Sequence, residues 1–136
     1  MQPQEHKADY PWVPRVSAYE AYIKYKNGKA IILHGGGENY SSRHILGAIN
    51  ADFKDRENLL LKFPQNRIEI FTYCYWKTES GGAGLADEMI KMGFTNVKHV
   101  QGGGKAMEKY FVYYTSSAVT KIVNPITGEV SIIKKK

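Results

Sequence analysis

Short apolar runs alternate with helical patterns along most of this chain, and this alternation is the feature that most restricts its fold. The runs at 29–33 and 67–73 have the length of a strand and are rich in aliphatic and aromatic residues. Apolar residues recur with helical spacing at 82–92. Strands that alternate with helices form a mostly parallel sheet, which helices cover on both faces. We therefore predict an α/β fold.

Local signals place the boundaries of the other elements. Ser17 and Glu20 form a capping box, which predicts a helix at 18–26. Glycine and proline mark where several of the remaining segments end. These segments are an apolar run at 45–49, a short helix within 52–63, a strand at 96–100 and a helix at about 105–111.

The end of the chain follows a different pattern. Segments 118–124 and 129–133 contain many β-branched residues, and a strong turn signal separates them, so they predict a β-hairpin. Such a hairpin could extend the sheet or pair with a second copy of the chain to form a homodimer. We therefore divide the chain into a flexible segment at 1–13, a domain at 14–111 and a hairpin extension at 112–136.

Composition excludes several classes of function. The 136 residues are 43% hydrophobic and 24% charged, which is typical of one globular domain. The net charge is +6, but the basic residues are spread along the chain and no nucleic-acid-binding motif is present, so we expect no nucleic-acid partner. No apolar run has transmembrane length, and we expect no membrane partner. The polar start predicts a cytoplasmic protein, or one exported after removal of a signal.

Cys74 is the only cysteine, and it lies where the central strand should end. A single cysteine excludes an internal disulfide and a cysteine-based structural zinc site, and we predict no metal. Residues 75–80 form a loop that leads into the next helix. The N-terminus of a helix favours an anion, so it favours a reactive thiolate at Cys74. A buried structural cysteine is the alternative that this stretch alone leaves open.

Other residues should meet Cys74 at the same edge, because the carboxyl ends of parallel strands lie together. Two glycine-rich turns follow predicted strands there, but neither has the spacing of a P-loop or a dinucleotide-binding fingerprint, so we predict no cofactor. The glycines are more typical of close packing than of phosphate binding. For the histidine at 44, a structural role is favoured over that of a base. The residues predicted for the rim of the site are His34, Gly35, His44, Gly102 and Gly103.

Several segments, taken in order, resemble the rhodanese-like domain family. Residues 43–50 read Arg-His-Ile-Leu-Gly-Ala-Ile-Asn, which is similar to that family's Gly-His-Ile-Pro-Gly-Ala-Ile-Asn signature. Residues 93–97 and 101–103 look like its Gly-Phe/Tyr-x-x-Val and Leu-x-Gly-Gly elements. Residues 14–20 look like its opening strand and first helix. The resemblance covers about 14–110, which is most of the chain.

This resemblance implies a rhodanese-like parallel sheet with Cys74 as a nucleophile. The thiolate would take a sulfane sulfur from a donor such as thiosulfate, become a persulfide, and pass the sulfur to a thiol, to cyanide or to a protein acceptor. The implied partners are therefore a small sulfur-containing anion or a protein thiol. The loop that would hold the sulfur consists of Tyr75, Trp76, Lys77, Thr78, Glu79 and Ser80.

The loop also departs from the family pattern. Many members carry an arginine there, whereas Lys77 is the only cation in this loop. The span from Cys74 to Gly93 is about two residues longer than the commonest form, and Glu79 matches a glutamate of a subgroup with longer loops. Three functions follow. A sulfurtransferase is favoured, a non-catalytic binding or sulfur-carrier module is the alternative, and a cysteine phosphatase is disfavoured because it needs an arginine to clamp phosphate.

Overall fold

A five-stranded parallel sheet forms the centre of the protein. The computed structural model describes residues 10–35, 40, 42–51, 60–63, 68–75, 80–115, 119–123 and 130–134. The strands are β1 (Arg15–Val16), β2 (Ala30–His34), β3 (Arg43–Ile45), β4 (Ile49–Asn50), β5 (Glu69–Tyr73), β6 (Val97–Val100), β7 (Tyr113–Thr115), β8 (Val119–Val123) and β9 (Val130–Lys134). The helices are α1 (Ala18–Lys26), α2 (Ser80–Lys91) and α3 (Gly103–Met107).

The strands of the main sheet are ordered β1-β6-β5-β2-β4, and every neighbouring pair is parallel. In the register, His34 of β2 lies beside Tyr73 of β5, and Thr72 of β5 lies beside His99 of β6. The carboxyl ends of the three central strands therefore meet at one edge. This arrangement confirms the predicted α/β fold.

Helices cover both faces of the sheet, as predicted. Side chains that alternate along a strand point to opposite faces, and the buried residues accordingly separate into two clusters. On one face, α1 packs against β2 and against α3; on the other, α2 packs against β5 and β6. The first cluster includes Ala21, Ile32, Phe71, Tyr73 and Met107, and the second includes Leu33, Ile70, Leu85, Met89 and Val97.

The helix bounds follow from local chemistry. The hydroxyl oxygen of Ser17 accepts a hydrogen bond from the Glu20 N–H at 3.1 Å, and α1 spans the predicted residues 18–26. The last helix begins earlier than predicted and ends at Met107 instead of residue 111. The α-helical hydrogen-bond pattern is interrupted there, because the N–H groups of Lys109 and Tyr110 donate to carbonyls only three residues back, at 3.3 and 2.9 Å. Of the helix predicted within 52–63, residues 52–59 lie outside the described part.

Two smaller pairs of antiparallel strands extend the fold. β3 pairs with β7, and His44 lies opposite Tyr114 in that pair. β8 pairs with β9, which confirms the predicted hairpin to within one residue at each end. In the described part of the chain, none of the helices combines the length and apolar character needed to cross a membrane.

The segment before β1 lies across α2. The indole N–H of Trp12 donates to the Asp87 carboxylate at 2.7 Å, and Lys91 pairs with the same carboxylate at 3.0 Å. Val13 is buried against the α2 side of the sheet. The hydrogen bond from Trp12, together with Lys91, holds the pKa of Asp87 below its usual value. Residues 10–13 therefore hold the helix that starts beside Cys74.

We expect Trp12→Phe to lower the free energy of unfolding by about 1 kcal/mol at pH 7, since it removes a donor from a nearly buried carboxylate. The pKa of Asp87 is depressed in the folded state, so this contribution is complete above its unfolded value and is lost as pH falls below it. Urea denaturation at neutral and acidic pH measures both effects. In an Asp87→Asn background the same substitution should cost less; an equal cost there would contradict the assigned hydrogen bond.

Candidate active site around Cys74

Cys74 directly follows β5, and its side chain is fully buried. The Cys74 side chain lies next to the first turn of α2. A β-carbon added at Gly81 would lie 3.5 Å from the Cys74 Sγ and 3.2 Å from its Cβ. The thiol therefore lies against the start of a twelve-residue helix, where backbone N–H groups and the helix dipole favour a negative charge.

Glycines allow three backbone segments to meet around this cysteine. A β-carbon at Gly35 would lie 2.5 Å from the Gly81 carbonyl oxygen, so the turn after β2 touches the start of α2. On the other side, the Gly104 N–H donates to the Cys74 carbonyl at 2.9 Å. Gly103 has φ +62°, and a β-carbon there would lie 2.4 Å from that carbonyl oxygen. The structure thus brings the predicted rim residues Gly35 and Gly103 together at Cys74.

Gly102 lies one position further from the cysteine. Its φ is +85°, a left-handed conformation, and it precedes the first residue of α3. A β-carbon at this position would lie 2.8 Å from the side chain of Ala106, within α3 itself. Gly102 therefore forms the sharp turn that lets Gly103 and Gly104 reach the Cys74 backbone.

Two buried polar residues beneath the start of α2 were not predicted. The Thr72 hydroxyl donates to the Gly82 carbonyl at 2.7 Å, and His99 Nδ1 lies 3.4 Å from the same hydroxyl oxygen. A β-carbon at Gly82 would lie 2.6 Å from the His99 ring. These contacts fix the distance between α2 and the sheet. The alternation of Val97 and His99 along β6 is the signal that marks His99 as buried on this face.

The His34 imidazole lies on the opposite face of the sheet from the Cys74 side chain. It is fully buried, and its ring meets Tyr73 and Tyr40 edge-on at centroid distances of 5.0 and 5.4 Å. Tyr73 belongs to the α1 and α3 side, whereas Cys74 faces α2. Burial lowers the pKa of His34 to about 4, so the ring is neutral at physiological pH. The structure does not bring it to the thiol.

His44 belongs to the same cluster of aromatic rings as His34 and Tyr40. Its ring stacks on Tyr40 with centroids 3.8 Å apart, and its Nδ1–H donates to the Tyr40 carbonyl at 2.6 Å. A third contact is with the ring of Tyr114. Burial lowers its pKa as well. These contacts hold the chain after β2 against β3 and β7, and none of them joins His44 to Cys74.

Tyr75 is the first residue of the predicted sulfur-binding loop, and its side chain points towards α3. Its hydroxyl donates to Glu108 Oε2 at 2.5 Å. Arg43 donates to both oxygens of the same carboxylate, at 2.7 and 2.6 Å. Trp76, Lys77, Thr78 and Glu79 lie outside the described residues, and Ser80 is the first residue of α2.

Arg43 and Glu108 were not predicted as site residues. They are 65 positions apart, and no local pattern connects them. Within the described residues, no three His, Cys, Asp or Glu side chains are grouped as a metal site would require. The chemistry of this edge therefore rests on the thiol, the first turn of α2 and the residues around Tyr75.

The family model for the rhodanese-like domain matches residues 36–110, which is more than half of the chain. The chain belongs to the rhodanese-like domain family. The matched region of this rhodanese-like protein contains Cys74, the start of α2 and the glycines at 102–104. No curated protein matches the sequence significantly.

Solved structures show the same fold. The BH2092 protein of Bacillus halodurans is 21% identical, with a TM-score of 0.64 over 77% of this chain and 79% of that one. The rhodanese-like domain of the Anabaena Alr3790 protein is 22% identical, with a TM-score of 0.56 over 71% and 74%. A thiosulfate sulfurtransferase of Pseudomonas aeruginosa is 14% identical, with a TM-score of 0.65 over 77% of this chain but 20% of that protein.

Proposed function

We propose that this rhodanese-like protein is a sulfurtransferase that carries a sulfane sulfur on Cys74. The observation that carries the proposal is the position of the only thiol, which lies against the first turn of α2. A persulfide formed there would place its outer, negatively charged sulfur near the backbone N–H groups of that turn. The name of the Pseudomonas protein, a thiosulfate sulfurtransferase, is consistent with this chemistry.

The reaction has two transfer steps. In the first, the Cys74 thiolate attacks the sulfane sulfur of the donor, so an S–S bond forms at Cys74 as the donor's own S–S bond breaks. With thiosulfate as donor, sulfite leaves with the bonding electron pair. In the second, an acceptor thiolate attacks the outer sulfur, and the Cys74 thiolate leaves. No external oxidant or reductant is needed, because in each step the transferred sulfur atom leaves one bonding electron pair with its former partner and accepts another from the attacking thiolate.

We expect incubation with a sulfane-sulfur donor to add one sulfur atom to the protein, and Cys74→Ser to abolish the addition. Intact-mass spectrometry measures the gain, and cyanide should remove it by taking the outer sulfur as thiocyanate. Cys74→Ser is a close match in size, so its fold can be verified by circular dichroism. If wild-type protein gains no sulfur from thiosulfate, from a thiosulfonate or from an organic persulfide, the proposal fails.

The second candidate is a non-catalytic binding or sulfur-carrier module. Full burial of the Cys74 side chain favours it, because a buried thiol meets a donor only after local opening. The lack of an arginine at 75–80 favours it as well. A carrier would gain sulfur once and release it slowly, whereas a transferase would release thiocyanate from thiosulfate and cyanide over many turnovers. A multiple-turnover assay therefore separates the two candidates.

A further inference from the structure

We propose that Glu108 limits the use of dianionic thiosulfate at the Cys74 site by neutralising Arg43, so that the pair gives the dianion no electrostatic advantage over a singly charged sulfane-sulfur donor. A singly charged donor is a thiosulfonate or an organic persulfide. This inference rests on the proposed sulfur transfer at Cys74. It assigns the pair of Arg43 and Glu108 to donor selection at that site.

The pair is connected to the nucleophile through the backbone. Tyr75 follows Cys74 in the sequence, and the Tyr75 hydroxyl donates a hydrogen bond to Glu108 at 2.5 Å. Glu108 also lies one helical turn beyond Gly104, whose N–H donates to the Cys74 carbonyl. The carboxylate is therefore about one tyrosine side chain away from the Tyr75 backbone, a distance at which an unneutralised charge acts on an anion that approaches Cys74.

Arg43 is a cation beside Tyr75, and its charge is already compensated. It binds Glu108 in a bidentate manner, and its guanidinium lies over the rings of Tyr75 at 5.4 Å and Tyr113 at 5.0 Å. Its side chain is 44% exposed, whereas that of Glu108 is 12% exposed. The carboxylate thus holds the guanidinium from beneath, and the pair presents no net charge to a donor.

Charge at the rim distinguishes donors that react in the same way. Thiosulfate carries two negative charges, and an alkanethiosulfonate carries one because an alkyl group replaces an oxyanion. Both give up a sulfane sulfur, with sulfite or a sulfinate as the leaving group. A net positive rim would accelerate the loading of the dianion more than that of the monoanion, and a neutral rim removes this advantage.

Three variants change the charge of the pair without altering the thiol. Glu108→Gln retains an oxygen that can accept from Tyr75 or Arg43 but removes the negative charge, so the pair becomes +1. Arg43→Gln makes the pair −1, and the double variant returns it to zero. The donor preference is defined as the loading rate with thiosulfate divided by the loading rate with methanethiosulfonate. Both rates are measured from the gain in mass as Cys74 takes up sulfur. We expect about a threefold rise for Glu108→Gln, a fall of similar size for Arg43→Gln and a near wild-type value for the double variant.

Controls separate charge from structure. The changes in the single variants should shrink at high salt, because screening weakens interactions between exposed charges. Lys77 is present in every variant, so the ratios isolate the pair. A purely structural role would instead lower the rates with both donors and leave their ratio unchanged.

The outcomes distinguish this inference from the proposed function. If wild-type Cys74 loads from neither donor, the sulfur-transfer proposal fails, and this inference fails with it. If wild-type Cys74 loads but the ratio is the same in all four proteins, only the role of Glu108 is overturned. Should Arg43→Gln not fold, Glu108→Gln and the double variant still test the inference, because only the first is predicted to raise the ratio.

Discussion

Replacing Gly82 with alanine is expected to lower the free energy of unfolding by about 3 kcal/mol, because the new methyl group has no space. It would lie 2.6 Å from the His99 ring and 2.8 Å from the Tyr73 carbonyl carbon. His99 is fully buried between β6 and α2, and the Tyr73 carbon belongs to the backbone of the central strand. Neither can move aside, so α2 must shift away from the sheet.

Gly84 provides a matched control two residues further along the same helix. The nearest atoms to a β-carbon there belong to the Tyr10 side chain, at 3.4 Å, and a side chain of this kind can rotate. Alanine in a helix interior is favoured over glycine, so Gly84→Ala should raise the free energy of unfolding by about 0.5 kcal/mol. Urea denaturation of both variants measures the contrast. Similar effects at the two positions would show that α2 does not pack as closely on the sheet as described.

Gly82→Ala should also make Cys74 more accessible to solvent. If α2 moves outward at Gly82, the adjacent Gly81 moves away from the Cys74 Sγ, which it now approaches closely. We therefore expect iodoacetamide to label Cys74 faster in Gly82→Ala than in Gly84→Ala under native conditions. This readout connects the packing of the helix to the accessibility of the proposed nucleophile.

The alternation of strands and helices was sufficient to predict the parallel sheet and the place of Cys74 in it. The prediction of the site rested mainly on one rule. Parallel strands end at a common edge of the sheet, so turns that are distant in sequence become neighbours. By this rule Gly35 and Gly103 were expected near Cys74; the structure places Gly103 against the Cys74 carbonyl and Gly35 against Gly81 and the Tyr73 carbonyl. The Ser17 capping box similarly located α1, because that signal lies within a few residues.

Two features depend on contacts that no local pattern specifies. The face on which a side chain lies is set by the register between strands, and a shift of one residue reverses it. His34 aligns with Tyr73, not with Cys74, so its imidazole lies on the side away from the thiol although its strand ends at the same edge. The contacts of Glu108 with Arg43 and Tyr75 join three separate segments, and the sequence around each residue does not indicate the other two.

The buried His34 should make the protein sensitive to acid. Its pKa is about 4 in the folded protein and 6.5 when unperturbed, so between these values the unfolded chain binds more protons. The free energy of unfolding therefore falls as pH decreases through this window. A difference of this size corresponds to a loss of about 3 kcal/mol between pH 7 and pH 4.

His34→Phe should remove this loss, because phenylalanine is neutral at every pH and retains a ring to pack edge-on against Tyr40 and Tyr73. Carboxylates such as Asp87 also titrate in this range, but they are common to both proteins, so the difference between the two unfolding free energies isolates the histidine. That difference should change steeply between pH 6.5 and 4 and become flat above pH 7. A difference that does not vary with pH would mean that His34 is protonated as readily in the folded protein as in the unfolded chain, and so is not enclosed by the aromatic rings. Because His34 lies on the face away from Cys74, the substitution should leave sulfur loading at neutral pH unchanged, which separates the stability of the sheet edge from its chemistry.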